Sequence, residues 1–96
     1  MQIKFLEIAQ IELDEAIEYY NYEMPGLGDN FLTEILNALD RAGKFPDAWQ
    51  PCSKRTRRCK VHRFPYGIIY QILENEIIVV AIANLHRKPE YWKSRI

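Results

Sequence analysis

Long apolar runs are absent. No stretch approaches the roughly 18 uncharged apolar residues a membrane helix requires, so no transmembrane helix is expected. Cysteine is scarce: Cys52 and Cys59 are the only two, and no CxxC or HxxxH spacing occurs. That leaves too few ligands for a metal site, and the two thiols read as reduced and semi-buried. Four glycines and five prolines are too few for a collagen-like or low-complexity chain. Residues 1–10 carry Lys4 and Glu7 and no small-residue cleavage site, so they do not read as a secretory signal, and a cytoplasmic location is expected. Net charge is also lacking, at zero.

What remains is an ordinary globular composition, 48% hydrophobic and 27% charged over 96 residues. One domain spanning 1–96 is expected, with a thin core, because a chain this small buries roughly 60–65% of its unfolded surface. The zero net charge conceals an asymmetry. Residues 1–50 hold three basic and ten acidic side chains, and residues 51–96 hold ten basic and three acidic. Such a split suggests that the basic half meets something polyanionic; the alternative is that the two halves neutralise each other within the fold. The basic charge is also dense locally, with Lys54, Arg55, Arg57, Arg58, Lys60 and Arg63 falling within ten residues. On a strand, Arg58, Lys60 and His62 share one face, and Arg57, Cys59 and Val61 the other.

Periodicity places the elements. Residues 2–6 alternate weakly and read as a strand. Ala9, Leu13, Ala16, Ile17 and Tyr20 fall on one face of an amphipathic helix starting near residue 7. It stops before Met24-Pro25-Gly26-Leu27-Gly28. A second helix over about 28–43 buries Phe31, Leu32, Ile35, Leu39 and Ala42, and Gly43 with Phe45-Pro46 ends it. The short link makes the pair an antiparallel hairpin. Residues 47–53 read as a loop. Strands follow at about 55–62, 66–74 and 77–84, the last two joined by a tight hairpin at Glu74-Asn75-Glu76. The chain ends in one helical turn. The fold class is α+β, ordered β-α-α-β-β-β, with a helical hairpin on a small, mostly antiparallel sheet.

Several segments in this order resemble one family. They are Glu-Leu-Asp-Glu-Ala-Ile-Glu-Tyr-Tyr at 12–20, Gly26-Leu27-Gly28 followed by Phe31, and Phe45-Pro46. Next come Arg63-Phe64-Pro65-Tyr66-Gly67-Ile68-Ile69-Tyr70 and His86-Arg87-Lys88-Pro89-Glu90-Tyr91-Trp92. Together they are similar to the RelE/ParE superfamily, the toxins of type II toxin–antitoxin modules, nearer the ParE-like, plasmid-stabilisation branch. The resemblance implies growth arrest when the chain is freed from a cognate antitoxin. Its target would be DNA gyrase for ParE-like members, or mRNA on the ribosome for RelE-like ones.

RNA cleavage without metal needs groups that move protons and stabilise charge on phosphate. By the resemblance, Arg58, Lys60, His86, Arg87 and Tyr91 would carry it if the chain is a nuclease. Arg57, Arg63, Trp92 and Arg95 are the candidates for target contact. One departure stands out: RelE-like nucleases carry an arginine where this chain has Gly67, which favours the ParE-like reading. Each residue also has a plainer role. Arg58 and Lys60 read equally as solvated strand charges, His86 as a packing residue, Tyr66 and Tyr70 as core or edge aromatics, and Trp92 as a cover for the core edge. No cofactor is needed by either mechanism, and none is expected. Direct DNA binding is not expected without the antitoxin, because a short basic strand lacks a groove-reading element.

Overall fold

The computed structural model describes residues 1–96. Strand β1 (Gln2–Phe5) leads into helices α1 (Glu7–Glu23) and α2 (Leu27–Lys44). Strands β2 (Gln50–Pro51), β3 (Thr56–Lys60), β4 (Tyr66–Leu73) and β5 (Glu76–Asn84) follow, and a 3₁₀ turn, η1, covers Lys93–Arg95. The five strands form one mixed sheet in the order β1-β5-β4-β3-β2. Only β1–β5 is parallel: α1 and α2 carry the chain from the β1 edge to the far edge, and the antiparallel run β2 to β5 leads back to lie beside β1.

The link between the helices shows why its glycines are there. Gly26 sits at φ 89°, a conformation that costs other residues about 1–2 kcal/mol. Gly28 serves a different purpose. A Cβ on it would run into the Ile17 carbonyl oxygen and lie 2.6 Å from the Asn21 side chain. Gly28 N–H donates to Asn21 Oδ1 at 2.7 Å. The helices can therefore meet this closely only with glycine at 28. Their inner faces present Ala9, Leu13, Ala16, Phe31, Ile35, Ala38, Leu39 and Ala42 to the sheet, which answers with Cys59, Val61, Ile68, Tyr70, Ile77, Val79 and Ile82. Tyr20, Phe31, Phe64 and Tyr66 add aromatic contacts with centroids 4.9–6.2 Å apart, edge-on except for the tilted Tyr20–Phe31 pair.

The sheet buries residues on its other face too. Ile69, Val80, Ala81, Ala83 and Trp92 form a second, smaller core there. A bulge makes this possible. Register slips between Ile69/Ala81 and Tyr70/Val79, leaving Val80 as the extra residue on β5. Val79 and Ile82 face the helices, while the neighbours Val80 and Ala81 both face away, which strict alternation forbids. The β4–β5 hairpin closes through Glu74 and Asn75, both at positive φ (45° and 69°), as a two-residue turn of the mirror-image type requires.

Within the segment read as a loop, Gln50 and Pro51 pair with Arg58 and Arg57. The basic strand is shorter than expected, ending at Lys60, so His62 and Arg63 lie in the turn before β4. The other element bounds differ from the expected ones by a residue or so.

Candidate functional site

The face of the sheet away from the helices collects the cationic strand and the C-terminal segment. β3 puts Arg58 opposite Ile69 and Lys60 opposite Gly67. Cys59, between them, points into the helix side, where burial pushes its thiol pKa up. Gly67 is what gives Arg58 its place. A Cβ at Gly67 would sit 3.0 Å from Arg58 Cγ and 3.1 Å from Cδ, so the arginine stem lies across the bare backbone. The space from which an arginine at 67 would project is thus already taken by Arg58. The Arg58 guanidinium donates from Nη2 to Gln50 Oε1 at 2.9 Å, while its Nε–H is buried with no acceptor. An unpaired buried donor costs about 1–3 kcal/mol.

After β5 the chain turns sharply. Leu85 N–H donates to Pro65 O at 2.8 Å, His86 N–H to Asn84 Oδ1 at 2.9 Å, and Arg87 N–H to Asn84 O at 3.1 Å. The segment then folds back over the open face. Trp92 is only 4% exposed and packs among Ile69, Val80, Ala81 and Ala83. Glu12 of α1 holds the end of this segment. Its Oε2 accepts from Tyr91 Oη at 2.7 Å and from Arg95 Nη2 at 2.9 Å. Its Oε1 accepts from Arg95 Nη1 at 2.8 Å and from Ile82 N–H at 3.1 Å. Arg95 Nη1 also donates to Val80 O at 3.0 Å.

The position of this clasp has a topological reason. β1 pairs with β5 only up to Val79, so the next stretch of that β5 edge has no strand beside it. Glu12 and Arg95 supply the acceptor and donor that a neighbouring strand would have given. Both side chains are mostly buried, and Arg95 pKa is raised chiefly by its hydrogen bonds to Glu12. Burial, followed by the bond to Glu12, pushes the Tyr91 phenol well up, so it stays a hydrogen-bond donor. Arg87 lies 4.2 Å from the Tyr91 ring centroid and Arg95 5.1 Å from it, so both cations engage that ring.

Arg58, Arg87, Tyr91 and Trp92 thus line one cleft of about 260 Å³, together with Lys88, Asn84, Ile69 and Ala83. The remaining sequence candidates lie elsewhere. Arg57 Nη1 donates to Trp49 O at 2.8 Å, beside a second cavity of about 450 Å³ near Lys54 and Arg55. Arg63 pairs with Glu34 of α2 at 3.6 Å. Lys60 and His86 are exposed and do not line the cleft. Arg95 belongs to the Glu12 clasp. Sequence reasoning missed Glu12, one of several acids on α1 with no mark of its own, and Lys88. No group of three or more His, Cys, Asp or Glu stands where it could hold a metal, and no helix is long and apolar enough to cross a membrane.

Comparison with known proteins decides the family. Residues 3–91 match the family described as ParE toxin of type II toxin–antitoxin system, parDE. The chain belongs to the ParE toxin family. It is therefore a toxin of the type II class, with the α+β fold expected from its sequence. A solved structure titled as a chromosomal ParDE toxin–antitoxin system from P. aeruginosa superposes with a TM-score of 0.78. The match covers 90% of this chain and 97% of that one, at 16% identity, so it speaks for the fold. No curated protein sequence matches.

Proposed function

We propose that this ParE-family toxin arrests growth in the cytoplasm by poisoning DNA gyrase, and that a cognate antitoxin neutralises it. The observation that carries the reading is the family match across residues 3–91, on the ParE-like side of a superfamily that also contains RNases. The site's chemistry supports it. An RNase of this superfamily needs free proton-transfer groups and free aromatic faces. Here the Tyr91 hydroxyl is held by Glu12, the Tyr91 ring is engaged by two arginines, and Trp92 is buried, while Lys60 and His86, though exposed, stand outside the cleft that Arg58 and Arg87 line. The antitoxin partner is supported by the family and by the ParDE system that shares the fold. Plasmid stabilisation is the corresponding biological role.

The direct test adds the purified chain to DNA gyrase and supercoiled plasmid. Gyrase poisoning gives cleaved plasmid that accumulates with toxin dose. Unchanged supercoiling with no cleaved product contradicts it.

Ribosome-dependent mRNA cleavage is the second reading. It is favoured by one feature, the convergence of Arg58 and Arg87 on a single cleft, where both could stabilise a phosphate. Under it, Arg87→Ala lowers mRNA cleavage on translating ribosomes by about a hundredfold, the usual loss for one electrostatic contact to a transition state.

A further inference from the structure

The largest cavity, about 450 Å³, lies apart from the open-face cleft and shares no residue with it. Its existence follows from the register of the sheet. β3 begins at Thr56, which pairs with Gln71, whereas β4 runs on to Leu73. Ile72 and Leu73 therefore have β5 on one side and no strand on the other. The chain turns away instead through residues 52–55. Ser53 Oγ fixes that turn by accepting from Arg55 N–H at 3.3 Å and from Thr56 N–H at 3.2 Å. The turn and the start of β3 surround the gap with charge. Lys54, Arg55 and Arg57 line it, and none of the three has a carboxylate partner. Arg57 spends only Nη1 on the protein, donating to Trp49 O at 2.8 Å. Asp47 is the one acid in the lining, so three cations against one carboxylate leave two net positive charges. Ile72 and Leu73 add an apolar wall, and Leu73 is 48% exposed.

We propose that this cavity binds a small phosphomonoester with an apolar ring, of the nucleoside monophosphate class. Lys54, Arg55 and Arg57 receive the phosphoryl group, and the ring lies on Ile72 and Leu73. Charge selects the phosphoryl group. A phosphomonoester carries about −1.5 to −2 near pH 7, which matches the lining, whereas a carboxylate carries a single charge. The two arginines add planar forks that fit phosphate oxygens. Size selects an organic part, since the cavity falls within the roughly 300–1,000 Å³ of small-molecule sites. A nucleic-acid strand fits less well. It stacks successive bases on free aromatic faces, and the one aromatic in the lining, Tyr70, is fully buried. The inference is independent of whether gyrase is the target.

The test is an NMR titration of the purified chain at low salt and pH 7.5 or so with four probes: AMP, adenosine, inorganic phosphate and hexathymidylate. AMP is expected to shift the methyl resonances of Ile72 and Leu73 and the Arg57 Nε–H. Adenosine and inorganic phosphate should each bind about tenfold or more weakly, the loss expected when one of two cooperating contacts is removed. Lys54→Gln and Arg55→Gln, both at exposed positions, should each weaken AMP about tenfold while the dispersed spectrum is kept. Lys60→Gln removes a cation of the same strand that does not line the cavity, and should leave AMP binding unchanged. Equal binding of AMP and adenosine overturns the proposal, as do shifts confined to other parts of the chain. An equal loss in Lys60→Gln would reduce the binding to general attraction by a basic surface and overturns it too. Hexathymidylate binding these residues more tightly than AMP assigns them to a nucleic-acid strand instead.

Discussion

Glu12 bonds to more of the fold than any other acidic side chain here. Its two oxygens receive Tyr91, Arg95 and the Ile82 N–H, and so tie α1, β5 and the C-terminal segment together. Removing one partner of a mostly buried ion pair leaves the other charge uncompensated and costs about 3–5 kcal/mol. Glu12→Ala is expected to lose about that much in urea denaturation, with Trp92 fluorescence moving toward that of a solvated indole. Glu12→Gln keeps the shape and an acceptor and should lose less. Tyr70 gives a second prediction. It is fully buried, donates to Pro46 O, and burial pushes its pKa up to about 12. The folded state therefore holds this proton more tightly than the unfolded state does. That stability is fully present below pH 10 and is lost as pH rises from 10 to 12. At about 1.4 kcal/mol per unit it amounts to roughly 3 kcal/mol. Tyr70→Phe should flatten this alkaline decline in stability measured against pH.

The helical hairpin carries a prediction that separates two glycines with different duties. Gly28→Ala drives a methyl against the Ile17 backbone, which cannot yield as a side chain could. Overpacking of this kind costs about 1–3 kcal/mol or more. Gly26→Ala meets nothing within 4 Å and is penalised only by its φ of 89°, about 1–2 kcal/mol. Urea denaturation of both variants should show Gly28→Ala as the less stable. These elements were legible in the sequence because their signals are local. The 3.6-residue stripes of α1 and α2, the Pro25-Gly26 break and the β-branched run of β5 each fix an element without knowledge of the rest. What was not legible depends on distant partners. The two-residue β2 exists only because β3 offers an edge. The parallel pairing of β1 depends on where β5 lies. The bulge at Val80 is invisible in a run where every residue is apolar. At the site, Arg58 and Arg87 were picked out by residue type and position, whereas Glu12 was hidden among the acids of α1. Gly67, singled out as a missing arginine, is structurally the position that makes room for Arg58.

Over the whole molecule, charge is separated rather than cancelled. The acids Glu7, Asp14, Glu15, Glu18 and Glu23 stand exposed along α1, on the helical layer. Unpaired cations gather on β3, its preceding turn and the cleft beneath the C-terminal segment. Neutralisation of the halves within the fold, one of the two sequence readings, is thus confined to three ion pairs, Lys4–Glu76, Arg63–Glu34 and Arg95–Glu12. Such a surface steers an acidic partner, and the attraction is screened within about 3 Å at 1 M salt. The affinity of the antitoxin complex is therefore expected to fall as salt is raised from 0.05 to 1 M; an affinity unchanged over that range contradicts the electrostatic part of neutralisation. Gyrase is the proposed target of growth arrest. The most direct measurement induces the chain alone in a bacterial host and pulse-labels DNA and protein synthesis over the first minutes. Gyrase poisoning predicts that DNA synthesis stops first while translation continues. Translation stopping first contradicts it.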